Sequence, residues 1–272
     1  MLWTCGTAAL LALIWLYLIF PGKPSPEARA PFEKRAFAHR GLYEKDQSVP
    51  ENSLPAFRRA VEAGYGAELD VQETKDHRIV VFHDDDLKRA CGRDGRICDY
   101  SFRELQEFPL FGTEERIPLF ADVLAVFSGR QPLIVELKTV PDNPSLCAAV
   151  RKMLAEYEGA ACIESFHPGI VRYFRRNDPE RLRGQLSQPM KDYMNGTLKW
   201  TVIGLILSRL FTNFMGRPQF IAYRLARKPL SVRACERLGA MKVCWTAREA
   251  GEHERRMAEN DAVIFEHYRP AP

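Results

Sequence analysis

Glu68 and Asp70 stand two apart in the segment AELDV. Alternate residues of a strand face the same side, so both carboxylates converge at one end of one strand. Two like charges held that close call for a cation. Glu136 and Lys138 repeat the arrangement in LIVELK, where an apolar run ends in an acid and then a base. A charge at the end of a buried strand is costly unless it is paired or metal-bound. An ordinary ion pair between Glu136 and Lys138 is the plainer reading. The alternative joins Glu68, Asp70 and Glu136 as three hard oxygen donors, which suit one divalent cation, Mg²⁺ or Ca²⁺, rather than a thiolate-seeking metal. His39 in AFAHRG and His83 in VVFHDD close two further strand-like runs. One strand-end histidine is more often structural than catalytic, but two beside a carboxylate cluster make the acid and base needed to cleave a phosphoryl ester near neutral pH. Arg40 follows His39, and its planar fork suits a phosphate oxygen. Among the other histidines, His77, His253 and His267 read as solvated, and His167 as peripheral to the site.

The elements that must carry these residues are short buried runs alternating with amphipathic stretches: AFAH at 36, AELDV at 67, LIVELK at 133, ACIESF at 161, LRGQLS at 182, FIAY at 220, KVCWT at 242 and AVIFE at 262. Runs of this kind are the signature of parallel strands buried on both faces. Predicted helices between them include SLPAFRRAVEAG, NPSLCAAVRKMLAEYEG, HPGIVRYFRRN, LSVRACERLG and REAGEHERRMAEN. Too few residues separate Val71 from Ile79 for a helical crossover, so VQETKDHRIVVFH reads as a hairpin leaving the second strand and returning. Eight parallel strands remain, which predicts an α/β fold of the (β/α)8 TIM barrel type, with its site at the carboxyl ends of the strands.

Composition excludes other classes. With 46% hydrophobic and 27% charged residues the chain has material for a sizeable core, so disorder is not indicated. Its formal charge of +4 is interspersed rather than clustered, which gives no footprint for nucleic acid. The cysteines at 5, 91, 98, 147, 162, 235 and 244 lack zinc spacing and an even count. They read as buried reduced thiols.

Leu2 to Phe20 is an apolar run without charge, closed by Pro21-Gly22. At about 1.5 Å per residue it reaches roughly 28 Å, which predicts a transmembrane helix. A cleaved signal peptide is the rival reading, with Ala28-Arg29-Ala30 as its cleavage site, but the run has no basic residue before it. Lys23, Arg29, Lys34 and Arg35 follow the run, and the positive-inside rule then places the catalytic domain in the cytoplasm. The expected organisation is therefore a single-pass anchor over 1–21, a proline-rich linker over 22–34 and a barrel over 35–272. The stretch 190–219 is long for a loop between barrel elements and contains the apolar run LKWTVIGLILSRLFTNFM. Thr197, Thr201, Gly204 and Ser208 fall on one helix face and leave the rest hydrophobic. Three partners could cover that surface: the core, a second copy, or a membrane contacted by residues 197–215.

The ordered motifs together resemble the glycerophosphodiester phosphodiesterase family from about Ala38 to Phe265. They are His39-Arg40-Gly41, Pro50-Glu51-Asn52-Ser53, GAELDVQETKD at 66, VVFHDDDLKR at 80, Cys91-Gly92 with Gly95, Asp99-Tyr100-Ser101, IVELK at 134, Glu164-Ser165-Phe166 and VCWT at 243. The resemblance implies a (β/α)8 barrel and one divalent cation on Glu68, Asp70 and Glu136. It implies His39 and His83 as the acid and base pair, Arg40 and Lys138 as phosphate holders, and Trp245 as a pocket wall. Glu51 and Asn52 would add a metal-shell or substrate contact. Two positions depart from the family pattern: His77 replaces a hairpin glycine, and Phe265-Glu266-His267 stands where a Thr-Asp pair is common. Both lie outside the carboxylate cluster and bear on substrate fit more than on catalysis. The implied reaction is hydrolysis of a glycerophosphodiester to glycerol 3-phosphate and an alcohol, with water or the glycerol 2-hydroxyl as the nucleophile. Two other functions stand beside it, a lysophospholipase D acting on membrane lysophospholipids and a catalytically inactive, membrane-bound phosphodiester-binding module.

Overall fold

The computed structural model describes residues 2–138 and 144–271; Met1, Pro272 and Asn143, the first residue of one predicted helix, lie outside them. Among the described residues, nine strands form one sheet: β1 (Arg35–His39), β2 (Gly66–Glu73), β3 (Ile79–Val81), β4 (Leu133–Leu137), β5 (Ala161–Ser165), β6 (Arg183–Ser187), β7 (Phe220–Arg224), β8 (Met241–Ala247) and β9 (Ala262–Phe265). Every strand but β3 pairs in parallel, in chain order, and β1 pairs with both β2 and β9, so eight strands close into a barrel. β3 runs antiparallel to β2, with Glu73 opposite Ile79 and Val71 opposite Val81. It is the expected hairpin excursion.

Alternation along each strand sorts the two layers. In β4, Leu133, Val135 and Leu137 face outward and pack with Phe57, Phe120, Phe127, Leu146 and Val150 of the surrounding helices. Ile134 faces inward, among Phe37, Cys162, Phe220, Val243 and Ile264. The interior is thus filled by side chains, as barrels of this size require. Gly184 illustrates the fit, because a Cβ there would lie 2.0 Å from the Phe220 ring. Phe32, from the segment before β1, is buried and stacks on Phe37 at 6.1 Å. Apolar packing therefore occupies the end of the barrel where the strands begin, and polar chemistry is left to the end where they finish. A helix over Phe120–Phe127 packs against the helix Leu54–Glu62 and the hairpin strand β3.

The N-terminal run is helical over Leu2–Ile19, but the membrane expectation is overturned. No helix of the described residues is long and apolar enough to cross a membrane. The last turn of this N-terminal helix is moreover committed to the barrel. Ile19 is fully buried, and its carbonyl accepts from Asn213 Nδ2 at 3.3 Å. Arg217 Nη1 donates to the carbonyls of Tyr17 and Phe20 at 2.9 and 2.8 Å. These bonds satisfy carbonyls that a helix end leaves without intrahelical partners. The single-pass anchor falls, and with it the cytoplasmic placement that rested on its flanking charges.

The insertion holds a helix over Leu198–Ser208, started by Thr197, whose hydroxyl accepts from Trp200 N. Its packing face is the reverse of an amphipathic helix's. Gly204 and Ser208 are buried, whereas Leu198, Trp200, Val202, Leu205 and Ile206 are exposed. Gly204 sits against Tyr193 and Met190, where an added Cβ would lie 3.0 Å from Tyr193 Cβ. The absence of a side chain lets the helix approach the turn Met190–Tyr193 closely.

Candidate active site

Strand register brings the acids together. Asp70 lies level with Glu136, and Glu136 with Glu164, in one row across β2, β4 and β5; His39 of β1 lies level with Glu68. One carboxylate oxygen each from Glu68, Asp70 and Glu136 falls within 4.8 Å of the others. Oxygens bound to one hard cation lie at most about 5 Å apart. The three carboxylates therefore fit a shared divalent ion. Glu164 adds a fourth buried acid, and its Oε2 has no hydrogen-bond partner among the described residues.

Electrostatics point the same way. Burial, then the neighbouring Asp70, Glu164 and Glu136, push the Glu68 carboxyl well above its ordinary value. Burial and then Glu136 and Asp70 do the same to Glu164. Glu136 is raised chiefly by burial, although Lys138 opposes it. Asp70 goes the other way: burial works against it, but Lys138, His83 and Arg40 together hold it well below the carboxylate range. Lys138 Nζ lies 2.9 Å from Asp70 Oδ1 and 3.0 Å from Glu136 Oε1. Both the ion-pair and the metal readings of Glu136 are thus compatible with one geometry. Lys138 accordingly faces two carboxylates.

The loop after β1 organises the rest. Arg40 and Asn52 both take left-handed backbone conformations, φ 55° and 54°, a local strain of about 1–2 kcal/mol for a residue with a Cβ. Asn52 N donates to the Arg40 carbonyl at 2.8 Å, and Asn52 Nδ2 donates to Asp70 Oδ2 at 2.9 Å. Arg40 Nη1 donates to Glu51 Oε1 at 2.7 Å, and Glu51 also accepts from Arg89 Nη2 at 2.6 Å. Glu51 and Asn52 hold Arg40 and Asp70 in place; neither lines the cavity. Ser53 then caps the helix Leu54–Glu62, a contact usually worth about 1 kcal/mol.

Each histidine is backed by a carboxylate. His83 Nδ1 lies 2.7 Å from Asp84 Oδ1, and Arg89 Nε donates to Asp84 Oδ2 at 2.6 Å. Gln72 Nε2 pins the same segment through the carbonyls of Phe82 and Asp84. His39 Nδ1 lies 2.5 Å from Glu266 Oε2. Burial and then Arg40 lower the His39 pKa, and Glu266 opposes them. The position at 266 therefore touches the proposed acid–base pair directly, contrary to the expectation that it bears mainly on substrate fit.

Above the acids a cavity of about 630 Å³ opens between His39, His83, Glu68 and Glu136 on one side and an apolar wall on the other. Trp245, Phe166 and Leu186 come from the barrel; Tyr193, Trp200 and Leu207 come from the insertion. Trp245 Nε1 donates to the Ala222 carbonyl at 3.0 Å, and its ring meets Phe166 edge-on at 5.8 Å. His167 also borders the cavity. The site residues that the sequence reading missed are Glu164, Asp84, Arg89, Tyr43 and Glu266, together with the insertion wall.

A sequence model of the glycerophosphoryl diester phosphodiesterase family matches residues 39–268. The chain belongs to that family. Among curated family members, a glycerophosphodiester phosphodiesterase from Caldanaerobacter subterraneus subsp. tengcongensis is 33% identical over 162 residues, which is 56% of this chain and 65% of the relative. A lysophospholipase D from Rattus norvegicus is 29% identical over 54% of this chain and 49% of its own length. The match thus spans less than two-thirds of these relatives. Among solved structures of the same fold, an Oleispira antarctica phosphodiesterase in complex with the product sn-glycerol-3-phosphate superposes with a TM-score of 0.69 at 21% identity, over 88% of this chain and 94% of that one.

Proposed function

We propose that the chain hydrolyses glycerophosphodiesters to glycerol 3-phosphate and an alcohol. The observation that carries this reading is the convergence of Glu68, Asp70 and Glu136 on one point, flanked by His39 and His83. A divalent cation, Mg²⁺ or Ca²⁺, held by those three acids would supply positive charge against the phosphoryl oxygens. Arg40, fixed between Glu51 and Asp70, adds a guanidinium beside the same oxygens, and Lys138, between Asp70 and Glu136, favours their ionised forms. One imidazole takes the proton of the attacking hydroxyl while the other delivers a proton to the departing alkoxide. The overall change consumes one water and breaks one P–O bond, whether water attacks directly or opens a cyclic phosphate formed by the glycerol 2-hydroxyl. The intact set of acids and histidines argues against a binding-only module. Replacement of His39 or His83 by alanine is expected to lower kcat on glycerophosphocholine at least about 100-fold without loss of fold by circular dichroism. Full activity in both variants, and in the presence of EDTA, would refute this mechanism.

The apolar wall favours one second reading, a lysophospholipase D that releases the headgroup alcohol while the acyl chain on the retained glycerol phosphate lies along Trp200, Leu207 and Tyr193. Comparing turnover of glycerophosphocholine and lysophosphatidylcholine by Trp200→Ala separates the two. A selective loss on the lysolipid supports the acyl subsite, and equal effects on both substrates reject it.

A further inference from the structure

The contact between Glu266 and His39 joins the last strand of the barrel to the first. Glu266 follows β9, is buried, and donates its backbone N–H to the Ala247 carbonyl at 2.9 Å. Both carboxylate oxygens are engaged: Oε2 accepts from Tyr43 OH at 2.9 Å and meets His39 Nδ1 at 2.5 Å, and Oε1 accepts from Arg248 Nε at 2.5 Å. Hydrogen bonds to His39, after the opposing effect of burial, hold this carboxyl far below its ordinary range, and an ionised carboxylate can only accept. His39 Nδ1 must therefore carry the proton. The same ring's Nε2 is then the basic nitrogen, and it points into the site, 3.8 Å from Glu68 Oε2.

We infer that Glu266, clamped by Arg248 and Tyr43, is a positioning residue that fixes the tautomer and ring orientation of His39, so that Nε2 is the nitrogen that exchanges protons with substrate. The inference rests on the reading of His39 as an acid or base of the reaction. Asp84 stands to His83 Nδ1 as Glu266 stands to His39 Nδ1. Both imidazoles thus offer Nε2 to the cavity, an arrangement that suits two groups working on opposite ends of one phosphoryl transfer. The two supports differ in reach. Asp84 is the next residue in the chain, whereas Glu266 lies 227 residues away from His39, so the His39 geometry depends on barrel closure between β1 and β9. A merely structural ion pair between Glu266 and Arg248 would not care which ring nitrogen bears the proton.

The test uses Glu266→Gln, which keeps shape and removes charge, and Arg248→Gln, which removes a mostly exposed clamp and leaves the interior intact. The probes are glycerophosphocholine turnover, Mg²⁺ affinity and the ¹⁵N signals of the His39 imidazole, assigned by comparison with His39→Gln. In the unmodified protein His39 is expected to be protonated at Nδ1. Glu266→Gln is expected to lower kcat tenfold or more, with KM and Mg²⁺ affinity within threefold, and to mix the two tautomers. Glu266→Asp is expected to recover part of that kcat, and Arg248→Gln to lower kcat severalfold with KM unchanged. A Glu266→Gln enzyme with kcat within threefold of the original overturns the inference. So does a His39 spectrum that the substitution does not change, or a kcat loss fully matched by lost Mg²⁺ affinity. Absence of glycerophosphocholine turnover in the unmodified protein overturns the underlying function instead, and the imidazole spectrum still decides the Glu266 contact.

Discussion

Glu68 shows how far a residue's surroundings can turn against its charge. Its carboxyl is buried among Asp70, Glu136 and Glu164, so the neutral isostere in Glu68→Gln should raise the melting temperature of cation-free protein while abolishing activity. On the proposed cation site, the same variant should also lose the stabilisation expected of the parent from added Mg²⁺ or Ca²⁺, which at 100-fold excess over Kd amounts to about 2.7 kcal/mol. Thermal melts in EDTA and in added cation measure both effects. Asp84 and Glu266 are the opposite case, carboxylates held below their ordinary values of 3.8 and 4.5 by hydrogen bonds to histidine and arginine that outweigh burial. As acid is added the unfolded chain protonates at these positions first, so their stabilising effect is complete above about pH 4.5 and declines below it. Urea unfolding between pH 5 and pH 3 should show a shallower loss of stability in Glu266→Gln than in the parent. The metal-ligand candidates were legible because Glu68 and Asp70 advertise themselves by strand spacing. Glu266 was not, because its partner is at the far end of the chain and no local pattern links them. Asp84 sits in a run of three aspartates, and nothing in the run marks which one faces a histidine.

At the scale of elements, every barrel strand was visible as a short apolar run, and the hairpin followed from a gap too short for a helix. The sequence left three possible covers for the insertion's wide apolar face, the core, a second copy or a membrane. The core does not cover it, because close packing on Met190–Tyr193 rewards small residues, and Gly204 and Ser208 took that face. The apolar side chains are then divided between solvent and the cavity wall. Gly204→Leu would force a side chain into a gap of 3.0 Å; overpacking of this kind typically costs about 1–3 kcal/mol. Because the same helix carries Trp200 and Leu207, the expected outcome is a lower melting temperature together with altered discrimination between glycerophosphocholine and lysophosphatidylcholine. Unchanged discrimination would detach the helix from the cavity's function.

For the molecule as a whole, the apolar N-terminus was read from hydropathy alone, which says what a segment avoids but not what covers it. Arg217 supplies what hydropathy could not show: it donates to two carbonyls of the N-terminal segment and lies over the Tyr17 ring at 4.9 Å. Arg217→Met should release that end, raising amide hydrogen exchange over residues 17–22, with a stability change of at most about 1 kcal/mol and glycerophosphodiester turnover unaltered. A faster exchange spread evenly over the barrel would mean that the contact braces the whole fold. The lysine lodged between Asp70 and Glu136 has a consequence on the same scale. Four acids meet at the barrel mouth; burial pushes Glu68, Glu136 and Glu164 towards neutrality, and Lys138 and Arg40 stand against the charge of Asp70. The nascent chain can therefore close its barrel before any inorganic ion arrives. On the proposed cation site, metallation would then be separable from biosynthesis, and an incoming ion would have to expel protons and nudge an ammonium aside to take its place.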